Sequence, residues 1–359
     1  MPSEDQLPEV LVTGTAGFIG FHMVRALVEK GYRVTGLDSV NDYYDVDLKF
    51  ARLEDTGIGR SKIVYGSEIS STRFTNYSFI RLKLEDREGI DGLFREHAFG
   101  KVLHLAAQAG VRYSLSQPRA YIESNLSGFI NILEACRHHR PDHLVFASSS
   151  SVYGLNKEMP YDVRHNVDHP VSLYAASKKS NELMAHAYAH LFGIPVTGLR
   201  FFTVYGPWGR PDMALFLFTR AIMEGRPIEV YNQGEMERDF TYIDDIVEGV
   251  TRVLGTPPGG DGEWDPLKPD PSDSSAPYRI YNIGNSRPVK LLDFIHAIEK
   301  HTGRKAVMKL LPLQPGDVVK TWADVSRLKE DTGYAPSTSI DKGIRSFVEW
   351  YKAYYGKDF

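Results

Sequence analysis

Residues 10–20 read VLVTGTAGFIG, an apolar run that leads into glycines at positions 14, 17 and 20. This pattern predicts a strand, a glycine-rich turn and the start of a helix. The glycines permit a tight turn and a close approach of the backbone to a pyrophosphate, and the helix N-terminus offers that anion free N–H groups. We therefore expect a dinucleotide at this turn, held by Gly14, Gly17, Phe18, Ile19 and Gly20.

The second predicted strand, Arg33–Asp38, ends in an acidic residue 18 positions after Gly20. A carboxylate at this point accepts hydrogen bonds from the adenosine ribose hydroxyls and repels a 2′-phosphate. Asp38 is thus predicted to bind the cofactor and to favour NAD over NADP.

Short apolar runs alternate with amphipathic helical patterns in the first part of the chain. The predicted strands are Val10–Gly14, Arg33–Asp38, Tyr77–Leu82, Lys101–Leu105, His143–Ala147 and Pro195–Arg200. Helices are predicted between them, for example over Ile19–Glu29 and Arg119–Arg137. Strand, helix and strand at this spacing indicate right-handed crossovers and a parallel sheet. The predicted fold is α/β, a doubly wound, Rossmann-like parallel sheet with a smaller, interleaved C-terminal α/β substrate domain.

The regular alternation of strand and helix patterns ends after Pro195–Arg200, and this change gives the predicted domain boundaries. Residues 8–200 are expected to form the NAD-binding domain, and residues 201–359 are expected to form mainly the substrate-binding domain. A segment near residues 238–255 is expected to return to the first domain. The stretch Pro257–Pro277 is rich in Pro, Gly, Asp and Ser, and it is predicted to be an exposed loop.

Charge and composition exclude several classes of protein. The 359 residues carry 42 Lys+Arg and 46 Asp+Glu, with no basic stripe, so a nucleic-acid partner is not expected. The most apolar stretch, Met213–Met223, is too short to span a bilayer, and the polar N-terminus lacks the pattern of a secretion signal. The single cysteine, Cys136, excludes an internal disulfide and a thiolate metal cluster. We expect a cytoplasmic protein without a metal site.

A tyrosine and a lysine four residues apart suggest the chemistry. Tyr174 and Lys178 lie on one face of the helix predicted over Ser172–Leu191. The serine run Ser148–Ser151 follows the fifth predicted strand, at the edge where parallel sheets place reactive groups. A cation beside a phenol lowers its pKa, so Tyr174 is predicted to act as a base near neutral pH. A serine hydroxyl within reach could share the proton and hold the substrate oxygen.

These motifs resemble the extended short-chain dehydrogenase/reductases, and within them the nucleotide-sugar epimerase/dehydratase branch. The resemblance covers nearly the whole chain through GTAGFIG (14–20), HLAAQAGVR (104–112), ASSSSVYG (147–154), YAASK (174–178), RFFTVYGPWGRPDMA (200–214), RDFTYIDDI (238–246) and QPGD (314–317). The strings NDYYD (41–45) and GPWGRPDMALF (206–216) are most similar to the members that act on UDP-glucuronate. The resemblance also implies a homodimer formed by the helices over Arg119–Arg137 and Ser172–Leu191, and a place in polysaccharide biosynthesis.

The resemblance implies a role for each matching residue. Tyr174 is the expected base and acid, Lys178 tunes it and binds a ribose, and Ser149 is the active hydroxyl, with Ser150 also at the substrate. Further contacts are implied to the cofactor for Leu105, Ala106 and Ala107, and to the UDP portion or its sugar for Thr203, Arg238 and Asp317. Lys83 departs from the pattern, because relatives often have an aspartate there for the adenine amino group, and a lysine cannot accept that hydrogen bond.

The implied activity is C4 epimerisation of a UDP-sugar through a transient 4-keto intermediate, with UDP-glucuronate and UDP-galacturonate as the favoured pair. Ser150, rather than a carboxylic acid, follows Ser149, which favours a reaction that ends with hydride return. Arg210 is predicted to bind the uronate carboxylate. A UDP-glucose/galactose 4-epimerase and a UDP-glucuronate decarboxylase are the alternatives. A non-catalytic NAD-sensing protein is disfavoured because Tyr174 and Lys178 are both present.

Overall fold

The computed structural model describes residues 9–313 and 319–356. The chain divides into two compact units, each built from separate segments. The first unit comprises the residues up to Lys157 together with Val163–Phe201 and Gly249–Tyr281. The second comprises Glu158–Asp162, Phe202–Glu248 and the residues from Asn282 onward. The segment that returns to the first unit thus overlaps the predicted 238–255 only at the C-terminal end of that range.

An eight-stranded sheet forms the first unit. Its strands are β1 (Glu9–Thr13), β2 (Arg33–Asp38), β3 (Glu68–Ser70), β4 (Tyr77–Arg81), β5 (Lys101–His104), β6 (His143–Ser149), β7 (Val196–Phe201) and β11 (Tyr278–Ile283). Their order is β11-β7-β6-β5-β1-β2-β4-β3. From β1 the chain builds outward through β2 and β4 on one side, and through β5, β6 and β7 on the other. The point where the order reverses lies between β1 and β5, and ligands of open α/β sheets bind at such a point.

The sequence of β1 explains its central position. Every residue of this EVLVT strand is buried, as expected for a strand covered on both faces. It pairs in parallel with β2 and with β5. Only β3, among the paired strands of the first unit whose registers are described, runs antiparallel to its neighbour, β4. The doubly wound α/β prediction is confirmed. The ends of the six predicted strands differ from the observed ones by at most two residues, and β3 and β11 were not predicted.

Seven helices of the first unit are described, and the residues that cap them explain where α7 begins and ends. They are α1 (Phe18–Glu29), α2 (Val46–Asp55), α3 (Arg87–Glu96), α4 (Tyr113–Ser116), α5 (Pro118–Tyr121), α6 (Gly128–His139) and α7 (Leu173–Phe192). Helix α7 starts where the Ser172 side chain accepts a hydrogen bond from the Ala175 N–H, and it stops at Gly193, whose φ is 65°.

The helix predicted over Arg119–Arg137 covers nearly the observed range, but it is not a continuous α-helix. A π-helical segment, Ile122–Ser127, joins α5 to α6. Such segments change the direction in which following side chains project, and they often occur at functional sites. The sequence pattern could not reveal the segment, because the apolar spacing on either side of it is that of an ordinary helix.

The second unit is built around the strand β10. Its strands are β8 (Thr203–Tyr205), β9 (Ile228–Val230), β10 (Glu237–Tyr242), β12 (Pro288–Lys290), β13 (Met308–Leu310) and β14 (Lys320–Thr321), and its helices are α8 (Ala214–Met223), α10 (Leu291–Thr302), α11 (Ser326–Thr332) and α12 (Ile340–Tyr355). Strand β10 pairs with β8, β12 and β14. The Phe240 and Phe294 rings stack at 4.0 Å between centroids in its core. The boundary between the units falls within α9 (Ile243–Leu254).

The predicted loop Pro257–Pro277 has no helix and no extended strand, and it is largely exposed through Pro271. The prediction is wrong for its end, because Ser272, Asp273 and Ser274 are buried. Their polar groups find partners: Asp273 forms an ion pair with Arg279 at 3.2 Å, and the Ser272 carbonyl accepts a bond from the Ile280 N–H at 2.8 Å. Within the described ranges, no helix is long and apolar enough to cross a membrane.

Candidate active site

The turn after β1 requires glycine at its first position. Gly14 has a φ of 82°, and a Cβ there would lie 2.9 Å from the Ala106 nitrogen. Its N–H donates to the Leu37 carbonyl at 2.7 Å. The backbone of the turn therefore lies directly against the residues that follow β5, which no side chain at position 14 would allow.

The N-terminus of α1 is suited to an anion. Its N-cap is Gly17, no described side chain caps the helix there, and no acidic residue lies in the first turn. The first N–H groups of a helix lack partners within the helix, and the helix dipole favours negative charge at this end. Phe18 and Ile19 begin the helix at the turn, as predicted. The arrangement fits the pyrophosphate of a dinucleotide.

Asp38 is fixed at the end of β2 by two backbone donors. Its Oδ2 accepts from the Ala16 N–H at 3.0 Å, and its Oδ1 accepts from the Val40 N–H at 2.8 Å. Val40 has a φ of 51°, a strained value for a β-branched residue. A carboxylate oxygen has a second lone pair, so Asp38 can still accept the ribose hydroxyls predicted for it.

Arg52 is a residue of this region that the sequence reasoning missed. It lies on α2 with its side chain fully buried. Its Nη1 donates to the Ala16 carbonyl at 2.8 Å and to the Tyr44 hydroxyl at 2.7 Å. The Ala16 residue of the turn is thus held by Asp38 at its N–H and by Arg52 at its carbonyl. Tyr44 belongs to the NDYYD string (41–45). Nothing in the sequence indicated that this string contacts, through Arg52, the turn predicted to bind phosphate.

The residues after β5 are tied to the end of β1. The Ala106 N–H donates to the Thr13 hydroxyl at 3.0 Å, and the same hydroxyl lies 3.0 Å from Nδ1 of His104. Burial, with a smaller contribution from the Lys178 ammonium, lowers the pKa of His104 to about 3, so this imidazole is neutral. Leu105, Ala106 and Ala107 are half-buried, and they line the side of the turn where the cofactor is predicted.

The predicted serine run begins at the carboxyl end of β6. Ser149 is its last strand residue and is 8% exposed. Its Oγ accepts from the Ser151 N–H at 3.1 Å, at the start of a 3₁₀ turn formed by Ser150–Tyr153. Helix α7 packs against both β6 and this turn. The serines and the Tyr174–Lys178 helix are therefore neighbours within the first unit.

Tyr174 and Lys178 lie one turn apart on α7. Tyr174 is half-buried, with its ring edge-on to Tyr121 at 6.1 Å between centroids. Lys178 is 2% exposed. Burial lowers the pKa of Lys178 to about 8, an effect that the nearby Glu182 carboxylate opposes. The ammonium is therefore still charged at neutral pH and can stabilise a phenolate, which is what a tyrosine base needs.

Asn125 joins α7 to the turn after β5, and the sequence reasoning missed it. It lies in the π-helical segment, where its Nδ2 donates to the Ser177 hydroxyl and to the Gln108 carbonyl, both at 3.0 Å. Its Oδ1 accepts from the Gln108 N–H at 2.7 Å, and its carbonyl accepts from Asn181 at 2.6 Å. These bonds hold the helix of the predicted base in place.

The residues predicted to bind UDP lie in the second unit. Thr203 on β8 pairs with Phe240 on β10, two residues after Arg238. The Arg238 Nη1 donates to the Val319 carbonyl at 3.0 Å. Asp317 lies outside the described residues. The structure thus places Thr203 and Arg238 on adjacent strands of one sheet.

Arg210 and Lys83 each have an acidic neighbour. Arg210 donates from Nε and Nη2 to the two carboxylate oxygens of Asp212, at 3.0 and 2.5 Å. Its fork is therefore engaged by a carboxylate of the same loop. The exposed Lys83 ammonium lies 3.8 Å from Glu85. Among the residues that the structure describes, no group of three or more His, Cys, Asp or Glu side chains could hold a metal ion.

The sequence profile of the family described as "NAD dependent epimerase/dehydratase family" matches residues 10–284. The chain belongs to this family. The match spans the glycine turn, the serine run and the Tyr174–Lys178 pair, so these parts of the candidate site all lie within the matched region. The predicted roles of the individual residues remain predictions.

Relatives of similar length share much of the sequence. Protein CapI of Staphylococcus aureus is 51% identical over 349 residues, which cover 97% of this chain and 100% of that protein. A probable UDP-glucuronate 4-epimerase of Rhizobium meliloti is 46% identical over 346 residues, 96% of this chain and 97% of that protein. The crystal structure of UDP-glucuronic acid 4-epimerase from Bacillus cereus, in complex with UDP-glucuronic acid and NAD, matches with a TM-score of 0.82 and 31% identity over 97% of this chain and 100% of that one.

Proposed function

We propose that this chain is an isomerase, an NAD-dependent UDP-glucuronate 4-epimerase that interconverts UDP-glucuronate and UDP-galacturonate. The observation that carries the proposal is the full-length likeness to the Bacillus cereus enzyme, whose structure holds both UDP-glucuronic acid and NAD. The named Rhizobium meliloti relative supports the same substrate. Tyr174 is the proposed base for such a reaction, and the buried Lys178, one helical turn away, supports it.

An alcohol carbon cannot be inverted by proton transfer alone, because its C–H bond is not acidic. NAD, when bound, accepts a hydride from C4 and returns it to the opposite face, and the glycine turn, the N-terminus of α1 and Asp38 are the groups that would hold it. Tyr174 removes the proton of the 4-hydroxyl and later gives it back. Ser149 donates a hydrogen bond to the same oxygen, and the Lys178 ammonium stabilises the Tyr174 phenolate.

Arg210 gives the proposed specificity for a uronate. A 4-keto-uronate is a β-keto acid, and it loses CO₂ most easily when its carboxylate is neither paired nor solvated. A guanidinium binds a carboxylate through two parallel hydrogen bonds and stabilises its charge. Because Asp212 occupies the Arg210 fork in the structure, the substrate carboxylate would replace or share this partner. Thr203, Arg238 and Asp317 are proposed to hold the UDP portion.

The remaining assignments concern the whole protein. We propose that residues 8–200 form the NAD-binding domain, that residues 201–359 mainly bind the UDP-sugar, and that the enzyme is cytoplasmic and serves polysaccharide biosynthesis. A homodimer through α6 and α7 is supported by exposed apolar side chains on α7, since Leu183 and Leu191 are 61% and 66% exposed. Light scattering of the purified protein tests the dimer.

The proposed function is tested with UDP-glucuronate that carries deuterium at C4. We expect UDP-galacturonate with the label retained at C4, formed without an added electron acceptor. Tyr174→Phe should lower turnover by about 10²-fold or more, the usual scale for a positioned general base. Exchange of the label with solvent would contradict hydride return, and NMR would identify a UDP-pentose, the product of a decarboxylase. Conversion of UDP-glucose but not of UDP-glucuronate would show that the chain is a UDP-glucose/galactose 4-epimerase instead.

A further inference from the structure

Glu182 and Arg200 form a buried ion pair in the first unit. Glu182 lies on α7 one helical turn after Lys178, and Arg200 lies on β7. Arg200 donates from Nε to one carboxylate oxygen at 2.9 Å and from Nη2 to the other at 3.0 Å. The side chains of Arg200 and Glu182 are 0% and 1% exposed. The ion pair is thus bidentate and buried.

The pair touches the elements that carry the proposed site. The Ser148 hydroxyl, at the end of β6, donates to Glu182 at 2.6 Å. Ser148 also lies opposite Arg200 in the β6–β7 register. Arg200 donates further to the Tyr153 hydroxyl at 3.1 Å and to the Val163 carbonyl at 3.2 Å. One ion pair therefore joins α7 to the last residues of β6 and to the turn that follows.

Stability alone does not explain these charges. Burying two charges costs desolvation energy that their attraction barely offsets, and apolar residues of similar volume are often neutral or stabilising in their place. The pair lies between the serine run and the helix of the proposed base, where accurate placement of side chains matters for the reaction.

We propose that Glu182 and Arg200 are positioning residues for the reaction, because they hold α7, with Tyr174 and Lys178, in register with the end of β6, which carries Ser149. This inference rests on the proposed function and on the roles that it gives to those three residues. Glu182 and Arg200 act through the site residues, not on the substrate.

Glu182 also supplies negative charge next to Lys178. Burial works against the Glu182 carboxylate, but the Arg200 guanidinium, together with Lys179 and the Ser148 hydroxyl, keeps the pKa of Glu182 below its usual range. Lys178 interacts electrostatically with Glu182 on α7 and with the neutral His104 at the end of β5, and Tyr174 lies one helical turn before it on α7. Burial lowers the pKa of Lys178, and Glu182 opposes this effect. Loss of the carboxylate should therefore release the Lys178 proton at a lower pH.

The main test removes both charges together. Glu182→Gln with Arg200→Met removes the two charges of the pair together, so neither of them is left buried without the other. We measure kcat and KM of the holoenzyme for UDP-glucuronate between pH 6 and pH 10. The alkaline limb of kcat should move to lower pH by a fraction of a pH unit, because the loss of the Glu182 carboxylate, which supports the Lys178 charge, is partly offset by the loss of the Arg200 guanidinium. The KM should stay unchanged. A profile that superimposes on the wild-type profile after scaling would overturn the proposal.

A second measurement does not depend on activity. Lys178→Met removes the buried ammonium and should raise the urea midpoint of the protein. The increase should be larger in the Glu182→Gln/Arg200→Met background than in the wild type, because the ammonium has lost its anion there. Equal increases in the two backgrounds would overturn the proposal.

Ser148→Ala tests the same contact if the double variant does not fold. It removes the bond from β6 to Glu182 without creating a buried charge. We expect kcat to fall several-fold at constant KM, with Ser148→Thr restoring it, and Ser180→Ala, on the outer part of α7, leaving kcat unchanged. An unaltered kcat in Ser148→Ala would overturn the proposal. Failure of the proposed function is distinct, since the wild type itself would then not epimerise UDP-glucuronate.

Discussion

Replacement of Lys178 by methionine should make the protein more stable and inactive. The side chain is 2% exposed, and burial lowers its pKa to about 8 from the ordinary 10.5. At about 1.4 kcal/mol for each pH unit, this difference of about 2.5 pH units corresponds to a cost of about 3.5 kcal/mol for keeping the folded protein charged at that position. Methionine has a similar volume and no charge, so Lys178→Met should raise the free energy of unfolding by about 3.5 kcal/mol at pH 7.

The pH dependence of this gain follows from the sign of the shift. Below pH 8 both the folded and the unfolded chain carry the Lys178 proton, so the cost of the buried charge is present in full. Between pH 8 and 10.5 the folded chain loses this proton before the unfolded chain does, and the cost disappears. The advantage of Lys178→Met should therefore be largest at pH 7 and much smaller at pH 9.5.

Urea unfolding of NAD-free protein, monitored by tryptophan fluorescence at pH 7 and pH 9.5, measures the gain. Lys30→Met is the control, because Lys30 is exposed at the end of α1 and its replacement should change stability by less than about 0.5 kcal/mol. Turnover of UDP-glucuronate should fall by about 10²-fold or more in Lys178→Met. A variant that is less stable than wild type at pH 7, or a gain that is the same at both pH values, would refute the reasoning.

Three further predictions concern the ligands. Arg210→Ala should weaken UDP-glucuronate binding by roughly 1.5–3 kcal/mol, about 10- to 150-fold, and raise the share of UDP-pentose in the NMR spectrum. The affinity of Arg210→Lys for UDP-glucuronate should lie between those of wild type and Arg210→Ala. An equal loss of affinity for UDP-glucose, which has no carboxylate, would show that Arg210 stabilises its loop and does not bind the uronate. Asp38→Ala should weaken NAD binding and reduce the preference of the protein for NAD over NADP, as measured by titration with each dinucleotide. An unchanged preference would contradict the proposed contact of Asp38 with the adenosine ribose. Lys83→Asp should leave NAD binding unchanged or tighter, and a clear loss of affinity would show that Lys83 already contributes.

Local patterns in the sequence were enough to predict six of the eight strands of the large sheet and the cofactor turn. Strand, glycine turn and helix are determined by neighbouring residues, and Asp38 follows at a fixed spacing, so the placement of Gly14 and Asp38 could be read directly. Arg52 and Asn125 could not, since each acts on a backbone group far away in the chain, and a polar residue in a helical pattern carries no sign of its partner. The buried end of the Pro257–Pro277 stretch was missed because its polar composition is typical of an exposed loop, whereas the Asp273 carboxylate in it is buried and paired with Arg279.

The double anchoring of Ala16 ties the cofactor turn to the folding of the segment that follows it. The two side chains that hold this residue lie 22 and 36 positions further along the chain. The turn is therefore complete only after β2 has paired and α2 has docked, although the glycines that shape it all lie within residues 14–20. Opening of α2 would release the Ala16 carbonyl and loosen the turn, so a bound dinucleotide should slow amide hydrogen exchange in α2, a helix that carries none of its predicted ligands.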